Sequence, residues 1–302
     1  MHKTLRLAIY ALCVLVATTA AHAQIVPQYK NNPLTYPNGA KPQIDYANPA
    51  ATNLRFVSAM GTTGPIVLYS LRDHQLPPTI VGTNTAFLVD SRLGPTVAPP
   101  GNGTTVGLGW NVVPFPLDTS ITTAAFVEMS SVTGASLTVT FSNGGVSGTG
   151  YALVWNVGNN NKFGVYGGGV TNAVNSPAIV VNVPYFIAAS NGPGGQSIVT
   201  VRLDTGQIFS STSTTSGAGN VTPACQGTTG CYYYASDTGA VNGRMRVGPV
   251  MFSGTYLTLQ QLLQWAQNPW SFWFANRFNI GSQLVGKLNS GARRLMLMGV
   301  GN

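Results

Sequence analysis

Short apolar segments recur along this chain, and clusters of Gly, Asn, Pro and Ser separate them. The segments are rich in Val, Ile, Thr and aromatic residues, which is typical of β-strands. Two strong turn signals predict hairpins, one joining 151–157 to 162–166 and one joining 197–203 to 207–212. Strands at this spacing favour an antiparallel β-sandwich. Other strands are predicted at 65–69, 79–81, 86–89, 121–129, 135–141 and 244–252.

Two parts of this pattern carry a further expectation. Residues 121–129 and 135–141 are separated by a short turn-like sequence, so we expect these two strands to be adjacent. The apolar run 178–189 contains Pro184, which predicts a break in the strand or a position at the edge of a sheet.

One segment has helical spacing instead. Leu259, Leu262, Leu263 and Ala266 are placed to form one apolar face of a short helix. Thr258 is a favourable N-cap, and Gln261 three residues later completes a capping box. The following Asn-Pro pair at 268–269 is expected to end the helix.

The N-terminus has the features of a secretory signal peptide. Lys3 and Arg6 precede an apolar run at 7–17, and the small residues Ala21 and Ala23 form a cleavage site. The apolar run is shorter than the ~20 residues that span a bilayer, which argues against a membrane anchor. We therefore expect cleavage after residue 23, an extended arm at 24–53, and a secreted, periplasmic or extracellular protein.

Removal of the signal would leave Cys225 and Cys231 as the remaining cysteines. An even pair in an exported chain predicts a disulfide, which here would close a small loop. The alternative is a metal site with two cysteine ligands, but no histidine or further cysteine stands nearby in the sequence.

Charge is sparse, at 7% of the residues, and unevenly distributed. The stretch 24–270 has nine basic and seven acidic residues, so it offers no basic face for nucleic acid. The tail at 275–302 has four basic residues and no acidic one. It follows three aromatic residues at 272–274, which either dock on the domain or take part in self-association through the tail.

Several segments together resemble a known family. They are GYALVW at 150–155, PYFIAAS at 184–190, SIVTVRLDTGQIFSS at 197–211, and the strand and helix ending in NPWSF at 268–272. Their order and spacing are similar to laminin-G-like, concanavalin A-like jelly rolls of bacterial and phage proteins. The resemblance covers 54–274 and implies an antiparallel two-sheet jelly-roll sandwich with one short C-terminal helix. It also implies a concave face that often binds glycans.

Catalytic chemistry finds little support in the sequence. Glycoside hydrolases of this fold need two carboxylates, whereas Glu128 is the single glutamate and no acid lies two or four residues from it. We expect Glu128 to face solvent or to pair with an arginine. His74 is the single histidine after the signal peptide and belongs to no recognisable triad. Calcium is conceivable in this family, with Asp118 and Asp237 in loops as ligands, but no metal site or cofactor is predicted.

Aromatic residues are the remaining binding candidates. Three consecutive tyrosines, Tyr232, Tyr233 and Tyr234, stand beside the predicted disulfide loop, with Asp237 shortly after and Trp110 elsewhere in the chain. Consecutive strand residues alternate between faces, so at least one tyrosine is expected to be exposed. The sequence predicts a secreted, non-enzymatic domain for carbohydrate binding, adhesion or extracellular assembly, with a glycan or a cell-surface protein as partner. The alternatives are a glycan-active hydrolase and a structural subunit of an assembly.

Overall fold

The fold is taken from a computed structural model, and the residues that it describes lie between 36 and 274. The predicted signal peptide at 1–23 and the tail at 275–302 lie outside the described residues and stay predictions. The described ranges are 36–37, 41–61, 65–70, 79–81, 86–90, 92–98, 107–110, 120–131, 137–140, 151–155, 161–167, 170–215, 231–232, 236–237 and 245–274.

The described chain is mostly β-structure with one short helix, α1 at Leu259–Ala266, and 3-10 turns at Pro49–Ala51 and Pro269–Phe272. None of the described helices has the length and apolar character needed to cross a membrane. The strands are β1 (Leu54–Met60), β2 (Pro65–Ser70), β3 (Thr79–Val81), β4 (Ala86–Asp90), β5 (Gly94–Ala98), β6 (Gly107–Trp110), β7 (Ile121–Met129), β8 (Leu137–Thr140), β9 (Tyr151–Trp155), β10 (Phe163–Gly167), β11 (Val170–Asn175), β12 (Pro184–Gly192), β13 (Gly195–Arg202), β14 (Ile208–Ser213), β15 (Cys231–Tyr232), β16 (Ser236–Asp237) and β17 (Met245–Ser253).

The largest sheet is antiparallel, with the order β14-β13-β12-β7-β17-β1-β2. The hairpin β4–β5 joins it where Val97 of β5 pairs with Val247 of β17. Both predicted hairpins are confirmed, as β9–β10 and β13–β14. Pro184 opens β12, so the predicted break is confirmed, although this strand lies inside the sheet.

Two smaller sheets complete the described pairing. One has the order β11-β10-β9-β8-β16, and the other has the order β15-β6-β3. The expectation that β7 and β8 pair is wrong, because β7 lies between β12 and β17 whereas β8 pairs with β9 and β16. Strands β7 and β8 are therefore consecutive in the described chain but belong to different sheets.

The centre of the large sheet is buried on both faces. On one side, which we call the inter-sheet face, Val127 and Ile187 belong to the same core as Phe163 and Val165 of the five-stranded sheet. On the other side, the helix-side face, Phe126 and Phe186 belong to a core with α1 and the aromatic residues after it. Every residue of β7 and β12 is therefore buried, which explains their apolar composition.

Helix α1 forms as the sequence predicts. The Thr258 hydroxyl accepts a hydrogen bond from the Gln261 amide at 3.3 Å, and the Gln261 side chain accepts one from the Thr258 amide at 2.9 Å. The capping box satisfies backbone donors that the first helical turn cannot pair. Leu262, Trp265 and Ala266 form its buried face.

The described part of the N-terminal arm is docked on the helix side. The amides of Gln43 and Asp45 donate to the carbonyls of Trp273 and Phe272, at 2.6 and 2.9 Å. The Tyr36 ring meets Trp270 edge to face, with centroids 5.3 Å apart. Phe272 and Trp273 are fully buried. Of the two alternatives for residues 272–274, the structure therefore supports docking on the domain.

Candidate functional site

Most charged residues that the structure describes lie at one end of the large sheet. There β7 and β13 end, β12 and β17 begin, and the β4–β5 hairpin joins the sheet. We call this region the charged end. Its members are Asp90, Arg92, Glu128, Arg202, Asp204 and Arg246.

Two carboxylates converge at the charged end on one guanidinium group. Arg246 stands opposite Glu128 in the β17–β7 register, and its Nη1 lies 3.3 Å from Glu128 Oε1 and 3.3 Å from Asp90 Oδ2. The Glu128 and Asp90 side chains are 9% and 10% exposed, whereas that of Arg246 is 38% exposed. The guanidinium therefore covers the two acids on the solvent side.

The second oxygen of Asp90 is engaged by the backbone. Asp90 Oδ1 accepts hydrogen bonds from the amides of Arg92 at 2.7 Å and Leu93 at 2.8 Å. This arrangement is an Asx-type turn, and it leads into Gly94, whose φ of 69° is left-handed. Asp90 thus shapes the β4–β5 turn and at the same time pairs with β17.

The environment of Glu128 raises the pKa of its carboxyl group. Burial is the largest cause and the negative charge of Asp90 adds to it, while Arg246 and Arg92 act in the opposite direction. A raised pKa is a property of general acids, but a catalytic acid must also reach its substrate. The position of Glu128 beneath Arg246 suits an ion bridge that fastens β4 and β17 to β7.

The structure confirms part of the sequence expectation for Glu128. Its pairing with an arginine is confirmed, whereas a solvent-facing position is wrong because the neighbouring strands and Arg246 cover it. Sequence reasoning missed Asp90 and Arg246 as its partners, since they lie 38 and 118 residues away. The signal that could have found Arg246 is its place at the start of a predicted strand.

Asp204 also has an arginine partner. Arg202 Nε and Nη2 donate to its two oxygens, at 3.1 and 2.7 Å. The hydrogen bond from Arg202 is the main cause that lowers the pKa of the Asp204 carboxyl group. The pair stands at the β13–β14 turn, between the two strands that the sequence predicted to form a hairpin.

The structure brings together two of the aromatic candidates. Trp110 is the last residue of β6 and pairs with Cys231 of β15, while Tyr232 pairs with the neighbouring Gly109. Residues about 120 positions apart in the sequence therefore occupy adjacent positions of the three-stranded sheet. We call this backbone arrangement of Trp110 and Tyr232 the aromatic pair.

The other predicted site residues are not joined to this pair by the described structure. Asp237 lies in β16, where it pairs with Leu137 at the edge of the five-stranded sheet, so its expected loop position is wrong. Tyr233, Tyr234 and Cys225 lie outside the described residues, and the disulfide to Cys231 stays a prediction. Asp118 also lies outside them. Within the described ranges, no three metal-binding side chains cluster.

The solved structures that this chain matches are similar to it at low sequence identity and low TM-score. No family model matches the chain, and no curated protein matches its sequence. Trypanosoma rangeli sialidase in complex with sialic acid is 13% identical over 79% of this chain and 36% of that chain, with a TM-score of 0.41. The receptor-binding domain of botulinum neurotoxin D is 7% identical over 72% of this chain and 53% of that chain, with a TM-score of 0.45.

This chain spans about a third of the length of the sialidase chains and about half of the toxin domain. At these identities and TM-scores, neither likeness transfers a ligand, an activity or a detailed topology. The mostly β-fold with a large antiparallel sheet is instead read from the strands of this chain itself.

Proposed function

We propose that this protein is an exported, non-enzymatic binding domain of the laminin-G-like, concanavalin A-like class and that its ligand is a carbohydrate. Three features support the class: a large antiparallel sheet, a second sheet packed on it, and a capped helix after the last strand. The proposed jelly-roll topology and export both rest on the sequence.

The observation that carries the binding role is the aromatic pair. Trp110 and Tyr232 come from distant segments and occupy neighbouring register positions on adjacent strands, one on each face of a small sheet, so each would contact a sugar separately. Flat aromatic rings provide large apolar contact surfaces with few rotatable bonds, and they stack on the apolar faces of sugar rings. A site of this kind needs neither a metal ion nor a catalytic acid.

The charged end supports a non-enzymatic role. Glycoside hydrolysis needs two carboxyl groups on either side of the scissile bond, about 5–9 Å apart, with room for sugar or water between them. Here a guanidinium occupies the space between the two described carboxylates that converge, and it also covers them. Asp90 is further held by two backbone amides.

Affinity electrophoresis and a glycan array on the purified chain test this proposal. We expect binding to at least one polysaccharide, and Trp110→Ala and Tyr232→Ala should each weaken it about tenfold, or ~1.4 kcal/mol. Tyr46→Ala is the matched control, because Tyr46 is an exposed aromatic residue, 70% accessible, in the arm. Binding that is absent, or equally sensitive to all three variants, would contradict the proposal.

A glycan hydrolase is the alternative, and one observation favours it: Asp90 and Glu128 converge, and the pKa of Glu128 is raised. It predicts release of reducing ends from a polysaccharide and their loss in Glu128→Gln. Asp204→Asn is the control, because Asp204 is also an arginine-paired acid at the charged end. No release by the unmodified chain would end this alternative.

A further inference from the structure

The two acids of the ion bridge are served by different numbers of donors. Asp90 accepts hydrogen bonds from the amides of Arg92 and Leu93, and the Arg246 guanidinium contacts it as well. Glu128 has Arg246 alone as a donor among the described residues, with Oε1 3.3 Å from Nη1. Each hydrogen bond that a carboxylate accepts stabilises its charged form, and burial destabilises that form. A proton on Glu128 would therefore make up for the donors that this buried acid lacks.

The charged groups around Glu128 act in both directions. Burial raises the pKa of its carboxyl group most and Asp90 raises it further, whereas Arg246 and Arg92 lower it. Its register partner on β12 is a proline, and the segment 254–274 on the helix-side face has no charged residue. The raising causes prevail, so proton uptake by Glu128 stabilises the folded chain as the pH falls from neutral through this raised pKa.

The two contacts of Arg246 differ in what else joins the same elements. Arg246 and Glu128 are register partners on β17 and β7, and these strands pair along most of their length. Asp90 belongs to the β4–β5 hairpin, whose described pairing with the large sheet is the single pair Val97 and Val247. The contact of Arg246 with Glu128 thus repeats what the backbone already does, whereas its contact with Asp90 adds to a sparse attachment.

The β4–β5 hairpin in turn holds the N-terminal arm. The Tyr36 amide donates a hydrogen bond to the Arg92 carbonyl at 2.8 Å. The Tyr36 ring packs on Gly94, where any side chain would clash with it. Arg92 and Gly94 follow closely on Asp90, whose carboxylate shapes this turn. A change in how firmly Asp90 is held is therefore transmitted to the arm.

We propose that proton uptake by Glu128, as the pH falls below neutral, fastens the β4–β5 hairpin and the arm more firmly to the large sheet. The neutral carboxyl group no longer repels Asp90 and no longer shares the charge of Arg246, so the guanidinium pairs with Asp90 more strongly. Strands β7 and β17 keep their backbone pairing. Glu128 is thus a positioning residue for Asp90, and its effect does not depend on carbohydrate binding at the aromatic pair.

Amide hydrogen exchange measured against pH tests the proposal. The reporters are the amides of Tyr36, Arg92 and Leu93, which bond within the hairpin turn or to it. The Phe163 amide, which donates to Ser176 Oγ beside the five-stranded sheet, is the reference for global unfolding. Protection of the reporters relative to the reference, corrected for intrinsic exchange, should rise roughly twofold to fivefold from neutral pH to about pH 5, as for a partly exposed ion pair. A ratio that stays flat or falls would overturn the proposal.

Glu128→Gln removes the titrating group and keeps an uncharged side chain of the same shape. At neutral pH its reporter amides should be as protected as those of the unmodified chain at about pH 5, and the ratio should no longer change with pH. A response that arose from Asp45 in the arm itself would persist in this variant and would contradict the proposal. Asp204→Asn is the matched control, because Asp204 is another arginine-paired acid at the charged end. It should keep the pH response, and loss of the response there would equally overturn the proposal.

Discussion

The two faces of the large sheet are built in different ways. The inter-sheet face is covered by β10 and β11, which belong to the same strand-rich body. The helix-side face is covered by the N-terminal arm and by the segment from α1 to Phe274, which come from the two ends of the described chain. The first face is thus completed within the body, whereas the second requires distant segments to meet.

The chemistry of the two faces also differs. Aromatic rings dominate the helix-side core. The ring of Phe126 stacks on that of Trp270 with centroids 3.7 Å apart, and it meets the ring of Trp273 edge to face with centroids 5.2 Å apart. The ion bridge among Asp90, Glu128 and Arg246 lies at the end of this same face. The inter-sheet face is mainly aliphatic, but it includes Gln196. A substitution in the helix-side core should therefore affect the docking of the arm more than one in the inter-sheet core does.

The largest expected effect is that of Trp273→Ala. It removes a fully buried ring and should lower the free energy of unfolding by about 3–5 kcal/mol, measured by urea denaturation. It should also release the arm, because the Gln43 amide bonds to the Trp273 carbonyl and packing holds both. Faster hydrogen exchange at Gln43 and Asp45 would show this.

Phe163→Ala is the matched change on the inter-sheet face. Phe163 is also fully buried, so the loss of stability should be similar. Exchange at the Gln43 and Asp45 amides under native conditions should remain slow relative to the Trp273 variant. Equal release of the arm by both variants would mean that docking of the arm depends on both cores of the large sheet and not on the helix-side core in particular.

Arg246→Met tests the ion bridge on the helix side. It leaves two carboxylates without their cation, one of them Glu128 at 9% exposure. Breaking a fully buried pair costs about 3–5 kcal/mol, and partial exposure of Arg246 reduces our expectation to about 2–3 kcal/mol. Chemical denaturation at neutral pH measures the loss. Arg202→Met is the control, because it leaves a single carboxylate, Asp204, which is 19% exposed. A larger loss there would contradict this ranking.

Gly94→Ala tests how closely the arm packs on the β4–β5 turn. Residue 94 has a φ of 69°, and a Cβ atom there would lie 2.5 Å from Cγ of Tyr36. We expect a loss of about 1–3 kcal/mol from backbone strain and displacement of the ring. The double variant with Tyr36→Ala should recover the steric part. A purely additive double variant would show that Tyr36 does not occupy this position.

Glu128→Gln should change the free energy of unfolding by no more than about 1 kcal/mol at neutral pH. An uncharged amide avoids both the cost of burying a charge and the repulsion from Asp90. The pKa of Glu128 is raised in the folded state, so its ionisation lowers stability as the pH rises from its unfolded value through its folded value. The variant lacks that decline. Its stability relative to the unmodified chain should therefore increase with pH across this window, and a decrease would contradict the raised pKa.

The smallest effect is expected at Gln196 on the inter-sheet face. Its Oε1 and Nε2 atoms are buried, and neither has a hydrogen-bond partner in the described part of the chain. Gln196→Leu keeps a similar shape and removes the cost of burying an amide, so stability should be unchanged or higher by about 1 kcal/mol. A loss above about 2 kcal/mol would instead indicate that the amide is hydrogen-bonded.

The sequence predicted those parts of the fold that depend on near neighbours. The β13–β14 hairpin follows from Asp204 and Gly206 at the turn, and α1 follows from Thr258 and Gln261 at its start. Pairing between distant strands was not predictable in this way. Strands β7 and β8 were expected to be adjacent, yet both edges of β7 are occupied by β12 and β17, which are distant in the sequence.

The candidate site shows the same limit. Trp110 and Tyr232 could be named from residue type, but only the β6–β15 register places them on adjacent strands. Asp90 and Arg246 are 156 residues apart, and no spacing rule connects them. Their contact follows from the joining of β5 to β17, which depends on the completed sheet.

The parallel bridge between Gln43 and Phe274 determines how this domain would respond to tension. The arm and the C-terminal segment run in the same direction at this bridge. Tension applied between Lys41 and Phe274 would therefore load the Gln43–Trp273 and Asp45–Phe272 hydrogen bonds in shear. The strands of the large sheet would carry little of the load until that contact yields.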